Sequence, residues 1–436
     1  MKDLSSYRDL YAKELTDNIL AYWLPHCLDP VNGGYFNCYD NSGCHLVSTD
    51  KYTWSQGRFV WMFSKLASTT SDLFSKEERE RFLSLAGNGA DFLMSHCLLE
   101  ADDWRCTFLM DAEGGAKPTS PGMPLDASVY ADCFVVAGLA RYGLSCGDMS
   151  AYLFAKNLYS SIIQRINSGE FNTLPYPLSP EYRAHGIPMI LSNITKELYD
   201  AAFVLDAGYC EELKMNLDRF TTDILEHFVD GSFVVHEVIR SSDNGFLDNL
   251  LGMHANPGHT IEDMWFMADS ARILKKNELI PRICAIVQKS LEIGWDWEYG
   301  GILHYASVSG GAPVVGCFDN SEVVSEPMFR QVISGWGDKL WWVHSEALYT
   351  TMLCYHLSGD ESFLEWHDRV REYVFSHFPN PDKEVGEWLQ ILRRDGTPED
   401  KVVALPVKDP YHITRNLIML VELLDAIPGN DGTVFL

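Results

Sequence analysis

His259 stands in Asn256-Pro257-Gly258-His259-Thr260-Ile261-Glu262-Asp263-Met264-Trp265-Phe266, where an imidazole, two carboxylates and a turn signal share one short stretch. Pro-Gly marks a turn, and Thr260 is placed to cap the apolar run behind it. That puts His259 at the mouth of a helix rather than inside it. Glu262 and Asp263, three and four residues on, share its helix face. A carboxylate beside an imidazole orients the ring and tunes its pKa, so the group is a candidate proton-transfer pair. The same residues read equally well as a helix cap with a satisfied histidine.

Asp409-Pro410-Tyr411-His412-Ile413-Thr414-Arg415-Asn416 has the same form, a proline followed by a histidine entering a helix. Two histidines at two helix mouths suit two-sided proton transfer: one base removes a proton α to a carbonyl, and the other returns it on the opposite face. Histidine serves as base in one half and acid in the other because its unperturbed pKa is about 6.5. Arg58, in Trp54-Ser55-Gln56-Gly57-Arg58-Phe59-Val60-Trp61, offers a hydrogen-bonding fork for a sugar oxygen or an enediolate; it also reads as a cation–π packing residue. In Lys339-Leu340-Trp341-Trp342-Val343-His344-Ser345-Glu346, Glu346 falls four residues after Trp342, either a sugar platform with a hydrogen-bonding partner or plain core packing.

The elements that would carry these residues are helices in pairs. Periodic apolar runs cover 5–28, 53–71, 77–98, 127–143, 150–167, 187–206, 208–229, 259–275, 278–294, 338–358, 361–378 and 411–426. Short glycine-bounded strands interrupt them, with Gly33-Gly34-Tyr35-Phe36 echoed by Gly300-Gly301-Ile302-Leu303. The spacing predicts about twelve helices at a period of roughly 70 residues, with a hairpin after many pairs. Several helices are apolar nearly all round, as expected when both sides are covered. An inner ring wrapped by an outer ring meets that need, giving an all-α toroid; an open solenoid is the alternative. No linker divides the 436 residues, which read as one domain, 1–436. Residues 307–336 read as the longest irregular stretch, a lid or wall over a site.

Composition narrows the function. A formal net charge of -27 argues against nucleic acid. No apolar run is long enough to span a bilayer, and the polar start lacks a signal-peptide core, pointing to the cytoplasm. Eleven cysteines, odd in number and without a Cys-x-x-Cys pair, speak against a disulfide framework and a structural zinc. There is no GxGxxG, Walker A, GxSxG or HExxH pattern, so dinucleotide, P-loop, α/β-hydrolase and zincin chemistry lack support. An inverting glycosidase needs two opposed carboxylates with room for water and remains a rival, as does a sugar-binding protein with an aromatic cleft.

With those residues collected, the chain resembles the N-acylglucosamine 2-epimerase family, which includes cellobiose 2-epimerases and aldose–ketose isomerases. The resemblance runs over about residues 7–428. It is carried by GGYFNCYDNSG at 33–43, YTWSQGRFVWMF at 52–63, SVYADCF at 128–134, NPGHTIEDMWF at 256–266, GWDWEYGG at 294–301, KLWWVHSEAL at 339–348 and PYHITRNLIM at 410–419. It implies an (α/α)6 barrel and a sugar 2-epimerase acting through a cis-enediolate, with no metal and no redox cofactor. His259 and His412 then match the acid/base pair, and Arg58 the arginine that binds the sugar. Glu262 and Glu346 match carboxylates that orient the histidines or bind hydroxyls. Trp341, Trp342, Tyr130, Trp54, Asp132 and His185 fall around the substrate, although His185 also reads as a loop histidine. Family members imply ATP as an allosteric activator in some branches, and often a homodimer. The segment WWVHSEA resembles the N-acylglucosamine branch, with free-sugar epimerases or isomerases as the alternative. Two departures are the long 307–336 segment and Leu405-Pro406-Val407-Lys408-Asp409 in place of a glycine-rich lead-in.

Overall fold

Among the described residues, six long helices are buried on almost every face and six bury mainly one, a division that dictates two concentric rings. The computed structural model describes residues 4–403 and 405–426. The remaining ends of the 1–436 span, and residues 427–428 of the resemblance, lie outside the described residues. The helices, in chain order, are α1 (5–26, with a π-helical stretch Glu14–Leu20), α2 (Thr53–Ala67), α3 (Lys76–His96), α4 (Val129–Cys146), α5 (Met149–Ser168) and α6 (Gly186–Leu205). They continue with α7 (Cys210–Asp223), α8 (Pro257–Leu274), α9 (Ile280–Gly294), α10 (Trp341–Ser358), α11 (Glu361–His377) and α12 (Tyr411–Ala426).

Even-numbered helices touch one another in succession, α2 with α4, α4 with α6 and so on, and α12 returns to α2, closing the inner ring. Each odd-numbered helix backs onto its even neighbours from outside. In α4 the residues 131–141 are all buried, whereas α3 buries a stripe of Phe82, Leu85, Ala86, Gly89, Ala90 and Leu93. Outer helices carry the polar start signals: Ser75 and Glu78 form a capping box on α3, and Asp148 and Asp360 cap α5 and α11. This is the toroid that the paired periodicity implies, closed rather than open.

Short hairpins occupy the connections from outer to inner helices, seen in the bridges Leu28↔Tyr35, Val229↔Val235, Trp295↔Ile302 and Pro379↔Trp388. The repeated Gly-Gly is their turn: Gly33, Gly34, Gly300 and Gly301 all have φ between 70° and 78°, a region costly for residues with a Cβ. Beside each turn lies a buried ion pair. Lys51, two residues before α2, bonds Asp29 at 2.8 Å, and Lys339, two residues before α10, bonds Asp296 at 3.0 Å. The pairs fasten the starts of inner helices to the hairpins, so these helix starts converge on one end of the ring.

Residues 307–336 are more ordered than the sequence suggests. Asn320 caps a helix at Ser321–Ser325, and Pro327 opens another at Pro327–Gly335. Val323, Met328, Phe329 and Val332 form a satellite core with Leu247, Leu250 and Leu251. Proline at a first helical position and an asparagine cap were the available signals.

Candidate active site

The first turns of the inner helices surround a chamber of about 140 Å³. Its wall repeats a helical spacing: Trp54 and Arg58 on α2, Tyr130 and Phe134 on α4, Ile190 and Asn193 on α6, His259 and Glu262 on α8, His412 and Arg415 on α12. Side chains three or four apart share a helix face, so these five inner helices each turn at least two to the centre, while α10 contributes the adjacent Trp341 and Trp342.

His412 is held at Nδ1 by Glu346 Oε1, at 2.7 Å. Arg58 Nη2 lies 3.2 Å from His412 Nε2. A guanidinium only donates, so Nε2 accepts and Nδ1 carries the proton toward Glu346. His412 thus presents a basic Nε2 to the chamber. Glu346 is fully buried and accepts from Arg415, from Asn416 Nδ2 at 2.7 Å and, through Oε2, from Trp265 Nε1 at 2.9 Å. Burial pushes its pKa up, but Arg415 and the bonds from His412 and Asn416 outweigh that and hold it at about 2.

Glu262 does not orient His259. It pairs with Arg415, across from Glu346, and lies 3.6 Å from His412 Nδ1. Glu262, Glu346 and His412 bring ligand-type atoms within 4.8 Å of one another. The Arg415 guanidinium bonds both carboxylates and supplies the positive charge there. Two carboxylates tied to one arginine this closely leave no room between them for the attacking water of an inverting glycosidase, which needs about 6.5–9.5 Å.

His259 is oriented instead by Glu237, whose Oε2 lies 3.0 Å from Nδ1. Asp263, expected beside His259, bonds His185 Nε2 at 2.8 Å, and His185 Nδ1 lies 3.4 Å from Glu237 Oε1. The run Asp263–His185–Glu237–His259 therefore leads from the core to the chamber. Burial presses the His185 pKa down, but hydrogen bonds to Asp263 and Glu237 outweigh this and raise it to about 10, making it an imidazolium. Burial raises Glu237, yet His259 and His185 pull it well below the carboxylate range. The helix start also differs from expectation. Asn256, not Thr260, is the cap, accepting from His259 N at 3.1 Å, and His259 belongs to the first turn.

The remaining expected residues divide. Trp54, Tyr130, Trp341 and Trp342 line the chamber. The Trp342 ring neighbours both histidines, its centroid 5.6 Å from each imidazole. Gly258 makes this possible, since a Cβ there would stand 2.6 Å from the indole. Arg58 combines both of its readings: it bonds Asp409 at 2.7 Å and stacks over Phe134 at 4.1 Å. Asp132 and His185 do not reach the chamber. Asp132 bonds Arg165 of α5 and the Cys106 amide, because residues 130 and 134 claim the inward face of α4 and 132 points the other way. His185 is fully buried beneath the wall.

Sequence reasoning missed Glu237, Arg415 and Tyr176. A lone acid in the apolar run Phe233-Val-Val-His-Glu-Val-Ile239 was a signal for Glu237, and the three-residue spacing from His412 a signal for Arg415.

Comparison with known proteins meets this geometry. The N-acylglucosamine 2-epimerase (GlcNAc 2-epimerase) family model matches residues 34–415. The chain is 29% identical to the N-acylglucosamine 2-epimerase of Bos taurus over 430 residues, covering 97% of this chain and 92% of that one. It is 26% identical to the cellobiose 2-epimerase of Bacteroides fragilis, covering 94% and 97%. The cellobiose 2-epimerase structure from Bacillus thermoamylovorans superposes with a TM-score of 0.75 at 20% identity, over 96% of this chain and 99% of that one. Inner-ring histidines, the shared barrel and a match along most of its length agree: the chain belongs to the N-acylglucosamine 2-epimerase family.

Proposed function

We propose that this protein interconverts N-acyl-D-glucosamine and N-acyl-D-mannosamine by moving the C2 proton between His259 and His412. The observation that carries the reading is the matched pair of imidazoles. Each is fixed through Nδ1 by a buried carboxylate, each borders the chamber, and Trp342 packs beside both.

The open-chain sugar lies along Trp342 with C2 between the rings. One histidine takes the C2 proton through Nε2, and electrons move onto the C1 oxygen as a cis-enediolate forms. Arg58, already aimed at His412 Nε2, turns its N–H groups to that oxygen, where developing charge is greatest. After rotation about C2–C3, the other histidine delivers a proton to the opposite face, inverting C2. The carboxylates stay ionised throughout and stabilise whichever imidazole is protonated. The protein is an isomerase acting on carbohydrates; the N-acyl substrate, the histidine roles, activation by ATP, a cytoplasmic location and a homodimer belong to the proposal. Among the described residues no helix is long and apolar enough to cross a membrane.

The test is incubation with N-acetylmannosamine in deuterium oxide, with and without ATP, following the C2 proton by NMR. C2-deuterated N-acetylglucosamine is expected. Silence with that sugar, together with turnover of free mannose, would overturn the N-acyl assignment and move the protein to the free-sugar branch.

A further inference from the structure

Beside the chamber lies a much larger cleft, about 1050 Å³, between the ends of α5, α7 and the 171–184 loop. The two cavities share two lining residues, Tyr130 and Tyr176. The start of α6 completes the partition, with Gly186, Met189 and Ile190 turned to the chamber and Ile187, Pro188 and Leu191 turned to the cleft. The partition is therefore formed by two tyrosines and the start of α6.

The two tyrosines are supported unequally. Tyr130 is anchored on α4 and packs 5.7 Å from Trp54. Tyr176 stands on the 171–184 loop, where its backbone is tied to Thr173. That loop is braced from outside by the long 307–336 segment: Gln331 Nε2 donates to Pro175 O at 2.9 Å, and Ser179 bonds Glu326. Tyr176 also packs on the satellite core that this segment builds. No residue of 307–336 lines the chamber or the cleft, so among the described residues the segment acts on the site through the loop it holds.

We propose that Tyr176 is a specificity-determining residue that limits the length of the substrate's N-acyl group, and that the neighbouring cleft receives the acyl chain once that ring is removed. The inference rests on the N-acyl sugar reading above. The chamber is small and bounded on this side by aromatic rings, while the cleft beyond the partition offers Phe171, Leu178, Ile187 and Leu191, a surface suited to an alkyl chain. Arg183 and Arg219 also stand on that cleft, Arg183 paired with Asp223 and Arg219 3.4 Å from Asn167, on the side formed by α7 and away from this apolar wall. Among the described residues Tyr176 makes no hydrogen bond to either histidine, and turnover of the acetyl sugar in each variant is the internal reference that separates a change of space from a change of proton transfer.

The test compares kcat/KM for N-acetylmannosamine and N-pentanoylmannosamine in the full-length protein, its Tyr176→Ala and Tyr176→Phe variants, and Gln331→Ala. In Tyr176→Ala the ratio of pentanoyl to acetyl turnover should rise at least about tenfold, the scale on which a pocket discriminates one or more methylenes. Tyr176→Phe keeps the ring and should keep the wild-type ratio. Gln331→Ala, which loosens the brace, should raise the ratio less than Tyr176→Ala. An unchanged ratio in a Tyr176→Ala protein that still epimerises the acetyl sugar would overturn the proposal. If the unmodified protein leaves both N-acyl sugars untouched, the failure belongs to the substrate reading, which the wild-type arm alone detects.

Discussion

His412 and His259 take matching parts in the proposed reaction, but different materials hold them. His412, Glu346, Arg415 and Asn416 all ride on two inner helices, α10 and α12, and one permanent cation, Arg415, neutralises the carboxylate beneath the ring. His259 leans on Glu237, which sits in the connection between α7 and α8, and the cation beneath that carboxylate is a histidine. The His412 side chain is 7% exposed and that of His259 is 28% exposed. One station is thus fastened by a guanidinium and the other by an imidazole whose charge is lost only as pH rises toward about 10. A two-base enzyme can tolerate this asymmetry because only the ring facing substrate must change its protonation state.

The largest effects test whether the stations are independent. His259→Ala and His412→Ala should each lower epimerisation by about 10²–10⁴-fold, the usual contribution of a positioned acid or base. Each variant keeps one base, so each should still wash deuterium into C2 of one epimer without inverting it, and the two variants should label different epimers. Loss of exchange from both epimers in either variant would show that one histidine needs the other, and that the stations are a single unit. Effects of similar size come from the supports. Glu237→Gln and Glu346→Gln should each reduce kcat by up to about 10⁴-fold if the amide favours the wrong ring tautomer, as for other carboxylate-oriented histidines. Their stabilities should differ. Losing Glu346 weakens the acceptor for Arg415, Trp265 and Asn416 together, so Glu346→Gln should unfold in less urea than Glu237→Gln. Breaking a buried pair typically costs about 3–5 kcal/mol. Equal midpoints would remove the asymmetry.

The same contrast governs what the sequence makes legible. The barrel is readable because helical periodicity is local and repeats: paired runs, all-round apolar inner helices and the Gly-Gly hairpins recur along the chain. The His412 station is partly readable for the same reason, since Arg415 lies three residues along and Glu346 follows the Trp pair on one face. The His259 station is not. Its orienting acid is 22 residues upstream in a connection without helical period, and Glu262 and Asp263, which share the helix face that sequence spacing suggests, serve His412's cluster and His185 instead. Spacing along a helix tells which residues are neighbours, but not which neighbouring helix they turn toward. Asp132 fails in this way: it is central to a motif yet faces the outer ring. The partition tyrosine Tyr176 is invisible for a further reason, since its placement depends on a loop braced from more than 150 residues away.

The smallest effect concerns His185, which supports His259 at one remove through Glu237. His185 is an imidazole whose folded pKa, about 10, stands above the ordinary 6.5. A base with a raised folded pKa stabilises the fold fully below its unfolded value, and that contribution fades as pH rises toward the folded value. Wild-type protein should therefore exceed His185→Gln in thermal midpoint most clearly near pH 6, and the gap should narrow steadily to pH 10. Because His185 acts on the reaction only through Glu237, its replacement should lower kcat at neutral pH less than Glu237→Gln does. A gap that stays constant across this range would mean that His185 is neutral in the folded protein. The Asp263–His185–Glu237 run would then be a chain of hydrogen bonds without its central charge, and the contrast with the arginine-held station would rest on exposure alone.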